Sequence, residues 1–422
     1  MKIVSNNILM FVYVLCISSA ILYKANNLFY YVYGGCLLLF TILMFIGNSF
    51  KLRIKKNLKS ILILLVIFCF YCILTIIDNL NDAFEIIKNV ATQFIFYITI
   101  IEMASYFSFN NKRKQMIKLT YIAVSLPMII LFFTNYANIN YFDSIVNFFD
   151  TANRSRYSFG MGANNDAGLT SCVLLILDFI IIGLLRNEKE NKNRNIWLIY
   201  ITFSTIVAIL IFIGASSRNA FLTLLIFISM NILLRIKGKE ESKKKYILKF
   251  AGILIIGIII LNILMIYYKS DNIVELFKYS GRMIAFSILE LIFQKNKYLF
   301  GLGYTSKTYR INSFIEQGEK FAVDSSYIYF IVQSGIIGLA IILMTIIIIG
   351  VKIFKIRCNN VYYKYTIISL FFSLLFTGMF ETTILYAGMP IGLIFTIIIL
   401  EFIASDSSGG GKNEITKKEE RI

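Results

Sequence analysis

The sequence predicts an all-α, polytopic membrane protein with about twelve transmembrane helices. Three observations carry this. Apolar residues make up 58% of the 422 residues, charged residues 16%, and the mean hydropathy is +0.74, well above that of a soluble domain. Apolar runs of membrane-crossing length recur along the whole chain. The connections between these runs alternate between strongly basic and mixed charge, as they do when successive loops fall on opposite sides of a bilayer.

Reading runs of about 17 to 25 apolar residues as helices places spans near 3–23, 28–47, 60–77, 88–108, 117–134, 167–185, 196–214, 219–234, 250–268, 325–350, 365–381 and 384–404. The first run follows a single Lys2 and lacks a small-residue cleavage site, so it reads as a retained span. Residues 1–134 are expected to form N-terminal transmembrane helices. Residues 135–404 are expected to form the catalytic region, with outer loops 135–166 and 269–323. Residues 405–422 read as a disordered cytoplasmic tail.

With the N-terminus inside, the cytoplasmic connections include KLRIKKNLK, NNKRKQMIK, RNEKENKNR, RIKGKEESKKK and KIFKIRCNN. The outer basic residues are Lys24, Lys88, Arg154, Arg156, Arg218 and those between Lys269 and Lys320. This leaves 29 of the 42 basic residues and 11 of the 24 acids inside, which accounts for the whole net charge of +18. The pattern is the positive-inside distribution of a bacterial inner (cytoplasmic) membrane protein, and it needs no nucleic-acid partner. The chain has no histidine, which excludes histidine acid–base catalysis and histidine-ligated metal. Its six cysteines fall in spans or on the inner side and read as small hydrophobes, Cys69-x-x-Cys72 included.

Taken in order, the YKANN connection is too short to carry a site. Asp78, Asp82 and Glu85 open the fourth span and read as caps and dipole partners. Glu102 and Asp178 interrupt apolar runs near the inner ends of their spans; an intramembrane carboxylate suits transport or a structural pair equally here. The third outer connection interleaves aromatic and polar residues, carries Arg154 and Arg156, and ends in GMGANNDAG, a turn with Asn164, Asn165 or Asp166 as N-cap. In FIGASSRNAFL, Ser216 or Ser217 caps the next helix and Arg218 occupies its first turn. A cation there opposes the helix dipole and invites an anion, unless it simply snorkels to lipid phosphate. Arg282 repeats that placement after Ser280-Gly281, and helix N-terminal amides with a guanidinium suit a phosphate or diphosphate. Gly301-x-Gly303 follows no strand and reads as a turn. The polar stretch from Lys269 to Leu339 is where chemistry is expected.

The runs R-x-S-F-G-M-G-x-N-N, S-S-R-N-A, G-R followed by L-F-G-L-G, and D-S-S-Y-I-Y-F-x-x-Q-S-G-I-I-G-L, in that order over about residues 150–345, resemble the O-antigen polymerase and ligase family in its Wzy-type branch. The resemblance implies an inverting glycosyltransferase of the GT-C type at the outer face of the membrane. Its partners would be undecaprenyl-diphosphate-linked glycan donor and acceptor, membrane lipids and a chain-length regulator, and its product a capsule or O-antigen polysaccharide. Arg218 and Arg282 correspond to arginines that hold the diphosphate. Arg154, Arg156, Asn165 and Tyr327 are the expected substrate-binding residues. Asp324 stands where the family often has histidine, in Asp-Ser-Ser-Tyr instead of His-Asn-x-Tyr, which favours polymerase over ligase. Asp324 reads either as the general base or as a plain N-cap. No cofactor or metal is expected, since no Asp-x-Asp pair occurs. A flippase or transporter is the alternative of another class; it should show internal repeats and paired helix breakers, and only Pro127 and Pro390 occur.

Overall fold

The computed structural model describes residues 6–49, 51–77, 80–136, 139–148, 155–185, 194–236, 289, 292–294, 296–305, 325–356, 358, 360–387 and 389–405. Among these, secondary structure is entirely helical: α1 (Asn6–Leu22), α2 (Leu28–Gly47), α3 (Lys59–Leu74), α4 (Ala83–Phe109), α5 (Arg113–Asn135), the short α6 (Tyr141–Val146), α7 (Asn164–Leu185), α8 (Arg194–Ala215), α9 (Arg218–Ile236), α10 (Ser326–Lys355), α11 (Val361–Phe380) and α12 (Pro390–Ala404). Nine of the described helices are long and apolar enough to cross a membrane, and α1 and α12 are shorter apolar helices. The expected span at 250–268 lies outside the described residues.

The helices pack because each buries one stripe and leaves another apolar. On α9, Ala220, Thr223, Phe227, Met230 and Leu234 are buried at helical spacing, while Leu225, Ile228 and Ile232 face outward. Exposed isoleucines have no place in a water-facing bundle and are what lipid would cover. Polar side chains staple the buried stripes: Thr223 to Thr377 at 2.9 Å and Asn231 to Thr366 at 3.2 Å join α9 to antiparallel α11. Tyr13 meets Thr120 at 2.6 Å between α1 and α5. Asp178 on α7 accepts from Tyr121 on α5 and, at 2.9 Å, from Thr205 on α8, so this intramembrane carboxylate ties three helices together. Every residue of α12 is buried.

One end of the bundle is basic. Arg113 pairs with buried Glu401 at 2.9 Å, Lys352 donates to the Asn57 carbonyl at 2.6 Å, and Lys364 donates to the Phe354 and Ile356 carbonyls. Lys51, Arg53, Lys55 and Lys112 lie at the same end, since Lys55 is bonded to Ser105 near the end of α4.

Two departures from regular helix shape the rest. The run expected as one span over 325–350 is broken at Gly335, which has φ +67°. The Ile336 N–H should donate to the Val332 carbonyl. Instead it donates to Tyr298 at 2.9 Å, while Val332 accepts from Leu302 at 2.8 Å, so the L-F-G-L-G loop is inserted into the helix ladder. Gly301-x-Gly303 is thus a turn, as expected, but one docked on α10. A Cβ on Gly335 would lie 2.0 Å from the Leu299 carbonyl oxygen, and one on Gly301 would lie 2.7 Å from the Gly335 nitrogen.

The second departure joins α11 to α12. Residues 381–385 are buried although they are not helical. Their backbone groups find side-chain partners: Ser326 accepts from Thr383 at 2.9 Å and Ile384 at 3.1 Å and donates to the Glu381 carbonyl at 2.8 Å, and Gln93 donates to Leu385 at 2.7 Å. Such a segment survives at membrane depth only when its amides are bonded within the protein.

Gly335→Ala and Gly301→Ala should each lower the thermal unfolding midpoint of the purified protein sharply, since strain alone costs about 1–3 kcal/mol and the backbone clash adds to it. Gly34→Ala, in α2 with nothing within 4 Å of its would-be Cβ, is the control and should leave the midpoint equal or higher.

Candidate functional site

At the end of the bundle opposite the basic one, stretches far apart in sequence meet. The first is the run ending in Asn165. It arrives by docking its backbone: Tyr157 donates to the Gly214 carbonyl at 3.0 Å, buried Phe159 stacks on Phe132, and Gly162 donates to the Lys24 carbonyl at 2.6 Å. Phe159 and Gly160 both have positive φ, which turns the chain into α7. The next residues do not cap α7 in the way expected of them. Asn165 instead donates to the Glu381 carboxylate at 3.1 Å, and Asp166 pairs with Lys24 at 3.3 Å.

The second stretch is the S-S-R turn. Ser217 caps α9 as expected, accepting from the Ala220 N–H at 3.4 Å, and its hydroxyl also donates to Asn165 at 3.2 Å. A Cβ on Gly168 would lie 2.4 Å from the Ser217 Cβ, so the glycine is what lets this turn rest on α7. Arg218 occupies the first position of α9, half-buried, with Nε 3.4 Å from the Phe148 carbonyl. Ser216 is held by a 3.0 Å bond to the Ser144 carbonyl.

The third is the start of α10. Ser326 fixes the Glu381 peptide as described above, and Tyr327 donates to the Leu375 carbonyl at 3.1 Å. Tyr327 therefore has a structural partner where a substrate contact was expected. Glu381, the residue on which Asn165 and Ser326 converge, is 5% exposed.

Asn219 follows Arg218 and is 4% exposed, yet neither of its amide atoms has a hydrogen-bond partner among the described residues. Its place follows from the register: Thr223, one turn along α9, bonds Thr377 in the last turn of antiparallel α11, and Glu381 directly follows the end of α11. Asn219 thus stands near the end of α11 that leads into Glu381. A buried amide left unbonded costs about 1–3 kcal/mol, which a ligand bonding it would recover.

Of the expected site residues, Asn165, Arg218 and Tyr327 belong to this end, and Arg156 lies exposed in the docked run. Arg154, Arg282 and Asp324 lie outside the described residues. Asp324 directly precedes Ser325-Ser326 in sequence. Sequence reasoning missed Asn219 and Ser326, because an isolated Asn or Ser near a helix start has an ordinary capping explanation. Glu102 lies nearer the basic end, buried, with neither carboxylate oxygen bonded among the described residues. The chain matches no family model and no curated protein, so the resemblance rests on its motifs.

Asn219→Leu separates a ligand-binding amide from a structural one. It should hold or raise the unfolding midpoint, since it removes an unbonded buried amide worth about 1–3 kcal/mol, whereas a midpoint lowered by several degrees would show the amide to be structurally bonded.

Proposed function

We propose that this chain is a polymerase that joins undecaprenyl-diphosphate-linked oligosaccharide repeat units into a surface polysaccharide at the outer face of a bacterial cytoplasmic membrane, using twelve spans of GT-C type. The observation that supports it is that the N-N-D and S-S-Y stretches both bond Glu381, and the S-S-R turn joins them through Ser217 and Asn165, at the end opposite the basic one. By the positive-inside rule the basic end faces the cytoplasm, which puts Arg218 and Glu381 on the outer side.

In this reading Arg218 and Arg282 bind the donor diphosphate and stabilise the charge that builds on it. The acceptor hydroxyl attacks the anomeric carbon, the carbon–oxygen bond to the diphosphate breaks with its electron pair, and the hydroxyl proton passes to a carboxylate. The configuration at that carbon inverts. Asp324 is the proposed base, two residues before Ser326. Glu381, held by Asn165, is a described carboxylate at this end, and it either orients the acceptor or replaces Asp324 as base. Arg154, Arg156, Asn165 and Tyr327 contribute to substrate binding, Asn165 through Glu381 and Tyr327 through the position of α10.

Arg218→Ala should leave single repeat units on lipid instead of long polymer, with normal insertion into the membrane. Arg218→Lys should rescue poorly, because a point charge lacks the bidentate fork. Wild-type polymer length in Arg218→Ala together with Arg282→Ala would refute the assignment. Asp324→Asn and Glu381→Gln divide the base role, since each amide keeps hydrogen bonding and loses proton acceptance. The base is the one whose amide variant abolishes chain growth while its partner's variant only slows it.

Sidedness has its own test. A single cysteine at Lys307 should react with a membrane-impermeant thiol reagent in intact spheroplasts, whereas one at Lys355 should react only after permeabilisation. The reverse pattern would invert the topology and remove the site from the side of the lipid-linked substrate.

A further inference from the structure

We infer that the basic end of the bundle holds the phosphate headgroup of an anionic phospholipid, in a cavity of about 160 Å³ between the start of α1 and the ends of α2 and α4. A cavity of about that size admits a benzene-sized guest. Its wall is two-sided: buried Leu9 and Met44 give an apolar part, and Asn6, Asn48 and Arg53 a polar one. A phospholipid presents the same pairing at the junction of its glycerol and its phosphate.

The charge around the cavity calls for an anion. Arg53 and Lys55 both sit over the Phe109 ring, each 4.4 Å from its centroid, and Lys112 lies 5.8 Å from the centroid of Tyr106. Phe109 and Tyr106 line the cavity. Two cations sharing one ring stand within about a Debye length and repel. The ion pairs among the described residues are Lys24–Asp166, Lys88–Glu85 and Arg113–Glu401, so no described carboxylate neutralises this group. A phosphodiester monoanion in the cavity would. Tyr106, whose hydroxyl bonds Asn6 at 3.1 Å, holds the polar wall in place.

A membrane lipid suits the surroundings better than a soluble phosphate. The cavity lies at the ends of membrane-length helices, where a cytoplasmic-leaflet headgroup sits. Ile42 and Phe45, flanking the cavity-lining Leu43 and Met44, are exposed and offer an acyl chain an apolar track. This inference is independent of the catalytic reading.

The test is native mass spectrometry of the full-length protein purified with mixed phosphatidylglycerol and phosphatidylcholine, counting lipid retained as detergent is stripped. The wild type should retain phosphatidylglycerol in preference to phosphatidylcholine. Arg53→Gln with Lys55→Gln should cut that retention by about thirtyfold, two surface cations being removed. Arg53→Lys with Lys55→Arg should keep it, and so should Lys59→Gln with Lys355→Gln, which remove equal charge from residues that neither line the cavity nor stack on its Phe109 ring. Retention by the glutamine pair at the wild-type level, equal retention of phosphatidylcholine, or displacement of the lipid by millimolar inorganic phosphate would each overturn the assignment.

Discussion

A backbone amide with no water to bond has to be bonded by the protein, and this fold depends on how that constraint is met where its helices stop being helices. At Gly335 the α10 ladder opens and the loop at 298–302 enters it, taking the Val332 carbonyl and supplying the Tyr298 carbonyl to Ile336. Between α11 and α12 the chain is bonded by the hydroxyls of Ser326 and Tyr33 and by the amide side chain of Gln93. The two devices are linked, because Ser326 starts the half of α10 that Gly335 ends. A shift of that half-helix would move the Glu381 peptide with it.

The intramembrane charges divide by how they are paired. Asp178 is enclosed by hydroxyls from α5 and α8, and Glu401 meets the Arg113 fork, with Arg113 also lying over the Tyr363 and Phe402 rings. Each therefore holds helices together, and Asp178 offers no argument for transport. Truncating one partner of such a pair would strand a buried charge, which costs more than the pair itself contributes.

The helical spans were legible because each is set by the length and composition of a single run, and expected and observed elements agree to within a few residues for α2, α5, α8 and α9. The capping role of Ser217 was legible for the same local reason. The break at Gly335 was not, since Q-S-G-I-I-G reads as a small-residue stripe inside an apolar helix. Only the loop at 298–302, some thirty residues away, shows that its backbone carries a long-range bond. The capping reading of Asn165 failed in a like manner. A residue that suits a cap locally is taken by a carboxylate more than two hundred positions away.

The two ends of the bundle then differ in a way that bears on function. At the basic end, Arg113, Lys352 and Lys364 have protein acceptors, while Glu102 lies buried with neither carboxylate oxygen bonded among the described residues. At the other end Asn219, next to Arg218, has two buried amide atoms without partners among the described residues. Burying an amide unbonded is costly for stability alone, and a hydrophobic residue would fill the same place without that cost. A cationic first-turn residue, a carboxylate and an amide unbonded among the described residues come close together at this end of the bundle.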